Sequence, residues 1–155
     1  MTTTISTTAA GLDSSVLILH TFGNNVPILT DIDGNLDSNL QFEVEIDVFV
    51  HQSCGVQFQG DFFIYGSRDD DQQIAKVTDC SLNRVATLPF TFSYGACAAT
   101  TDQVFLCFDS IQDGKTCYTS NEPTNHFKPI SKSTEEHKFI RIATNEGKII
   151  YNNDK

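Results

Sequence analysis

The chain has no tryptophan and is short of basic residues: ten Lys and Arg stand against twenty Asp and Glu across 155 residues, for a formal charge of −10. That field repels phosphate backbones and anionic membrane surfaces, so nucleic acid is not expected as a partner. Long apolar runs are also missing. The longest, "VFLCF" at 104–108, falls far below the ~20 residues needed to span a bilayer, and membrane insertion is not expected. No apolar spacing of 3.6 residues persists over three turns, so no helix is required. There is no G-x-S-x-G elbow, H-E-x-x-H pair, phosphate-binding glycine loop or C-x-x-C pair, which removes the common sequence signatures of hydrolases, metalloproteases, nucleotide enzymes and redox centres. The first fifteen residues, "MTTTISTTAAGLDSS", have neither the basic nor the apolar segment of a secretory signal.

What is present suffices for one ordinary domain with its own core, at 39% hydrophobic residues. The Thr/Ser-rich residues 1–15 read as a disordered leader or the tail of a mucin-like stalk, the leader being the simpler expectation, and residues 16–155 as the folded part. Five cysteines exceed what a cytosolic domain usually carries. They point to disulfides and an extracellular setting; the odd count and the lack of an N-x-S/T sequon keep a cytoplasmic one as the alternative.

The most informative feature is an internal echo. "GDFFIYGS" at 60–67, "DQVFLCFDS" at 102–110 and "EGKIIYNN" at 146–153 superpose at a constant shift of 43 residues. Phe63, Leu106 and Ile149 then share a column, as do Tyr65, Phe108 and Tyr151; upstream, Cys54, Cys97 and Ile140 share another, as do His51, Tyr94 and His137. Within a unit the pattern is of strands, with Val56 and Phe58 alternating before a Gln-Gly-Asp turn and a second apolar run. The expected strands are 54–58, 62–66, 73–77, 97–99, 103–108, 115–119, 139–143 and 147–151, with weaker fourth elements at 82–88 and 125–131. The N-terminal third reads as a partial unit: "SVLILHTF", "VPILTDIDG" and "LQFEVEIDVFV" stand for its second, third and fourth strands, its first being absent.

A four-stranded unit repeated every ~43 residues in "GDFFIYGS…QQIAKVTDCSLNRVATLPF…YGAC…QVFLCFDS" resembles the Kelch-type β-propellers, including the galactose-oxidase-like group. The resemblance spans residues 51–152 and, more loosely, 16–50. The usual double glycine is reduced to Gly66, with Asp109 and Asn152 where it would recur. It implies an all-β fold, a partial propeller of antiparallel four-stranded blades, with a β-sandwich as the alternative. About three units are too few for the ~4–8 blades that close a ring, so the chain is expected to be a piece of a longer propeller, the alternatives being pairing with another chain or an open stack, and its open blade edges offer a route to self-association.

Candidate sites are few. Asp31, Asp33 and Asp37 in "DIDGNLD" lack the later glycine and the glutamate of an EF-hand and read as a turn; Asp69, Asp70 and Asp71 read as a solvated loop. Copper chemistry would need tyrosine and histidine ligands from several blades, and no family ligand motif surrounds those here, so no metal or cofactor is assigned and no enzyme is expected. Cys97 with Cys107, or Cys107 with Cys117, flank hairpin turns and either pair can be bridged, but not both. In a propeller the first strand lines the central channel. The column His51, Tyr94 and His137 would then gather three polar-tipped rings at one mouth as a binding face, unless each ring merely packs between units. The resulting expectation is a non-catalytic interaction module for a protein or glycan partner, the alternative being a fragment of a propeller enzyme with its chemistry elsewhere.

Overall fold

A computed structural model of the chain describes residues 2–6, 15–20, 28–31, 43–45, 48, 52–78, 81–109, 114–132, 141–145 and 148–152. Among them are fourteen strands and no helix: β1 (Thr2–Ser6), β2 (Ser15–His20), β3 (Ile28–Asp31), β4 (Glu43–Val44), β5 (Cys54–Phe58), β6 (Asp61–Tyr65), β7 (Gln73–Thr78), β8 (Ser81–Thr87), β9 (Ala96–Ala99), β10 (Val104–Cys107), β11 (Thr116–Ser120), β12 (Lys128–Lys132), β13 (Arg141–Asn145) and β14 (Lys148–Asn152). The all-β expectation therefore holds. Two consecutive antiparallel meanders, β5 to β8 and β9 to β12, are the two complete units read from the sequence, and β13–β14 is the hairpin of a further one.

The first hairpin turns through Gln59 and Gly60, with φ of 52° and 88°. Two successive positive values are the signature of a type I′ turn, whose twist matches that of the strands it joins. In the second hairpin Thr100 donates its N–H to the Gln103 carbonyl at 2.8 Å, closing a turn at Thr101 and Asp102. The third-to-fourth strand ladders also match, each broken by one extra residue on the outer strand: the register slips between Ile74 and Ala75 opposite β8, and between Cys117 and Tyr118 opposite β12. The bulged residues are Val85 and Ile130, both exposed, because a bulge frees a side chain from its ladder.

The second strand of each meander is buried on both faces. On β6, Phe63 and Tyr65 join Val104 and Leu106 of β10, with Phe58, Ile74, Leu88, Phe92, Cys97 and Phe127, in one core between the two meanders. The intervening Phe62 and Ile64 are buried on the other side. On β10 the alternation repeats, with Phe105 and Cys107 packed into a second cluster with Ala96, Phe108 and Cys117. Two covered faces explain why "FFIY" and "VFLC" are unbroken apolar runs rather than the alternating pattern of a sheet with one wet side. Between the sheets, the rings of Phe90 and Tyr118 stack at 3.8 Å, and Phe127 meets Tyr65 and Phe90 edge-on at 5.9 and 6.0 Å.

The structure corrects the sequence reading at the N-terminus. Thr2–Ser6, inside the stretch read as disordered leader, forms β1 and pairs along its length with β2, so the N-terminal unit has the strand thought absent. Four of its five residues are β-branched, the residue type that a pleated surface favours. Conversely β4, read as the fourth strand of that unit, pairs in parallel with β8 and so extends the next sheet to five strands.

Candidate binding surfaces

The geometry that organises the chain's ends begins at the first strands. β5 lies beside β9, and β9 beside β13. Cys54 and Cys97 are joined by a disulfide with Cα atoms 5.8 Å apart, and Tyr94 donates its N–H to the Gln52 carbonyl at 3.1 Å. Both contacts step forward together along the two strands, so β5 and β9 run in the same direction. Their following turns, at 59–60 and 101–102, share one end; the connections at 66–72 and 88–95 share the other.

At that second end, connections are held by a dense backbone network. Gly66 adopts φ +55° and donates to the Gln73 carbonyl at 2.9 Å, while the fully buried Gln73 side chain returns a bond to the Gly66 carbonyl at 3.0 Å. A Cβ on Gly66 would lie 1.6 Å from the Phe92 carbonyl oxygen, so glycine is required there by conformation and by space. Phe108 occupies the matching position on β10, with φ 63° and an N–H bond to the Thr116 carbonyl at 2.9 Å. Asp70 is more than a solvated acid: its carboxylate accepts from the Gln72 N–H at 3.1 Å and from the Arg84 guanidinium, and the Ser67 hydroxyl bridges its backbone. That Asp side chain is committed to folding its loop. Asp31 ends β3; Asp33 and Asp37 lie outside the described residues.

Of the proposed column of rings, Tyr94 is half-buried just before β9 with φ 55°, and its backbone reaches the residue that follows His51. His51 and His137 themselves lie outside the described residues. Among the described residues no group of three His, Cys, Asp or Glu is arranged to hold a metal ion, and no helix is long and apolar enough to cross a membrane.

The cysteines pair differently from one of the two expectations. Cys107 lies directly opposite Cys117 across β10–β11 and is bonded to it. Cys97 with Cys107 is ruled out by parity: Cys97 pairs with Leu106, so Cys107 projects from the opposite face. Cys97 bonds instead to Cys54, its own counterpart 43 residues earlier, a pairing the repeat column contained and the hairpin-based reading passed over.

At the first end, past β9, a polar hollow of about 590 Å³ opens beside Asp102, Gln103, Thr119, Asn121, His126 and Lys128. It was not foreseen, because no single motif writes it. It depends on the β11–β12 connection, residues 121–127, where the first meander has only 79–80 between β7 and β8. That longer connection is pinned at several points. The buried Tyr65 hydroxyl donates to the Pro123 carbonyl at 2.9 Å, Phe127 sits in the core, and the Ser120 hydroxyl donates to the Asn125 carbonyl while accepting from the Glu122 N–H at 3.0 Å. His126 Nδ1 lies 2.9 Å from the Glu122 carboxylate.

No protein-family model matches the chain, and no curated protein matches it either.

Proposed function

We propose that the chain is a segment of a Kelch-like β-propeller acting as a non-catalytic interaction module, its inter-strand loops presented to a protein or glycan partner. The observation that carries the reading is the lateral succession β5, β9, β13, in which equivalent first strands stand side by side and two are cross-linked through cysteines 43 residues apart. Second strands covered on both faces favour a stack of blades over a two-layer sandwich, which leaves each sheet one outer face. In such a stack the strands are committed to packing, and chemistry toward other molecules falls to the loops at the two ends. The His51, Tyr94 and His137 column is assigned to the face from which the first strands set out. Two disulfides favour an extracellular, oxidising setting. Outer strand β12 carries Pro129 between Lys128 and Ile130, a residue that blunts a sheet edge, so self-association is assigned to other edges.

The test uses the full chain immobilised on a sensor and a panel of extracellular protein domains and oligosaccharides. Saturable binding to a panel member, weakened by the combined His51→Ala, Tyr94→Ala and His137→Ala variant at unchanged melting temperature, is expected. Binding untouched by these substitutions, or a large fall in melting temperature, removes the column from the binding face; no binding to any member removes the module itself.

A further inference from the structure

The hollow beyond β9 stands at the opposite end of that strand from Tyr94, and its lining restricts what it can hold. It has no large apolar side chain to receive a hydrophobic ligand. Lys128 opposes a bare cation, and Asp102, within a chain of net charge −10, opposes a bare anion. The carboxamides at Gln103 and Asn121 both donate and accept, the Thr119 hydroxyl, whose proton goes to the Val104 carbonyl at 3.0 Å, can still accept, the Asp102 carboxylate accepts and the Lys128 ammonium donates. A ligand that satisfies such a set without charge must itself carry many groups that donate and accept together, as vicinal hydroxyls do. The volume falls within the ~300–1,000 Å³ of small-molecule sites and has room for a short oligosaccharide.

The site is also built before any ligand arrives. Asn121 and His126 sit on the connection anchored by Tyr65, Phe127 and Ser120, and His126 is held at φ 56°, a conformation that non-glycine residues keep only where the surroundings fix it. A fixed loop loses little further entropy when it binds. We propose that this hollow is a carbohydrate site for neutral oligosaccharides, with Asn121, Gln103 and Asp102 gripping ring hydroxyls and Lys128 donating to one. The proposal rests on the reading of the chain as a binding module and adds a second surface to it, away from the Tyr94 end.

The full chain, fluorescently labelled, is applied to immobilised di- and trisaccharides of glucose, galactose, mannose and N-acetylglucosamine, with sulfated versions and the protein-domain panel in parallel. Saturable binding to at least one neutral glycan is expected, weakened at least tenfold by Asn121→Ala and by Lys128→Met. Both positions are exposed, so melting temperatures should be unchanged, and Val85→Ala on β8 serves as the neutral control. Amide shifts in the unsubstituted protein titrated with the same glycan should centre on 102–103 and 119–128. Binding to sulfated glycans alone, binding that neither substitution weakens, or shifts centred at the Tyr94 end overturns the carbohydrate site. Capture of a protein domain without any glycan overturns it too, while leaving the module intact; silence across both panels removes both.

Discussion

Replacing Cys54 and Cys97 together by alanine is the most direct perturbation of the contact that ties one meander to the next. The bond closes a sequence separation of 43 residues, against 10 for Cys107–Cys117. Chain-entropy reasoning assigns about 4 kcal/mol to the longer loop and about 3 kcal/mol to the shorter. Cys97 is buried and Cys54 half-buried, so the lost sulfur contacts add to that figure rather than offset it. Against a total stability of ~5–15 kcal/mol, the variant should melt roughly 8–16 °C lower, taking ~2–4 °C per kcal/mol at this chain length. Urea unfolding of the oxidised protein and of both double-alanine variants measures the difference, and peptide mapping of the unreduced protein checks the pairing. A Cys54→Ala/Cys97→Ala variant that loses less stability than Cys107→Ala/Cys117→Ala would refute the assignment of the larger loop-closure contribution to the bond between the two meanders.

Gly66→Ala should cost about 3 kcal/mol or more in denaturant unfolding, since its Cβ meets the Phe92 carbonyl at 1.6 Å; Gly60→Ala, with positive φ but nothing within 4 Å, should cost only the ~1–2 kcal/mol of a left-handed residue. Tyr65→Phe should lose about 1–2 kcal/mol with the Pro123 bond. Burial pushes the Tyr65 phenol well above its ordinary 10.0. The unfolded chain therefore releases that proton first, and the contribution of this group, full below pH 10, should fall as pH rises above it. Tyr65→Phe should remove that part of the alkaline decline, which paired pH titrations of unfolding midpoint would reveal. Asp70→Ala should lose about 1 kcal/mol through the freed Gln72 N–H and the Arg84 partner, read as a shifted urea midpoint with an unchanged slope.

The strands of the two meanders were legible because burial on both faces writes them as dense apolar runs between turn residues, as in "FFIY" before Gly66 and "VFLC" before Phe108. Their fine register was not. A gapless shift of 43 sets Tyr65 over Phe108, whereas the ladders place Tyr65 opposite Cys54 and Leu106 opposite Cys97. Since Gly66 and Phe108 match in φ and in their bonds to the first residue of the next strand, Tyr65 corresponds to Cys107, one residue earlier. A slip of one turns each side chain to the other face, and the apolar columns survived it because both faces of β6 and β10 are buried. The disulfide between first strands joins the two cysteines of one sequence column, Cys54 and Cys97, and needed only the idea that first strands of successive units touch. The hollow was not legible at all, since Asp102 and Lys128 are 26 positions apart and meet only because β10 and β11 intervene as a hairpin.

The two meanders share their ladders, outer bulges and left-handed residue after the second strand, and differ in how their ends are closed. In the first, residues 79–80 suffice between β7 and β8. In the second, 121–127 make the same passage, and the five additional residues carry both the anchors into the core and the polar groups beside the hollow. Lengthening a surface connection is inexpensive in closure entropy, and here part of its ordering is supplied by the same Tyr65 and Phe127 that fill the space between sheets. On the carbohydrate-site proposal, stability and recognition are therefore coupled through one ring. Tyr65→Phe leaves every hollow-lining side chain in place yet releases the Pro123 carbonyl, so it should weaken glycan binding while Val85→Ala does not.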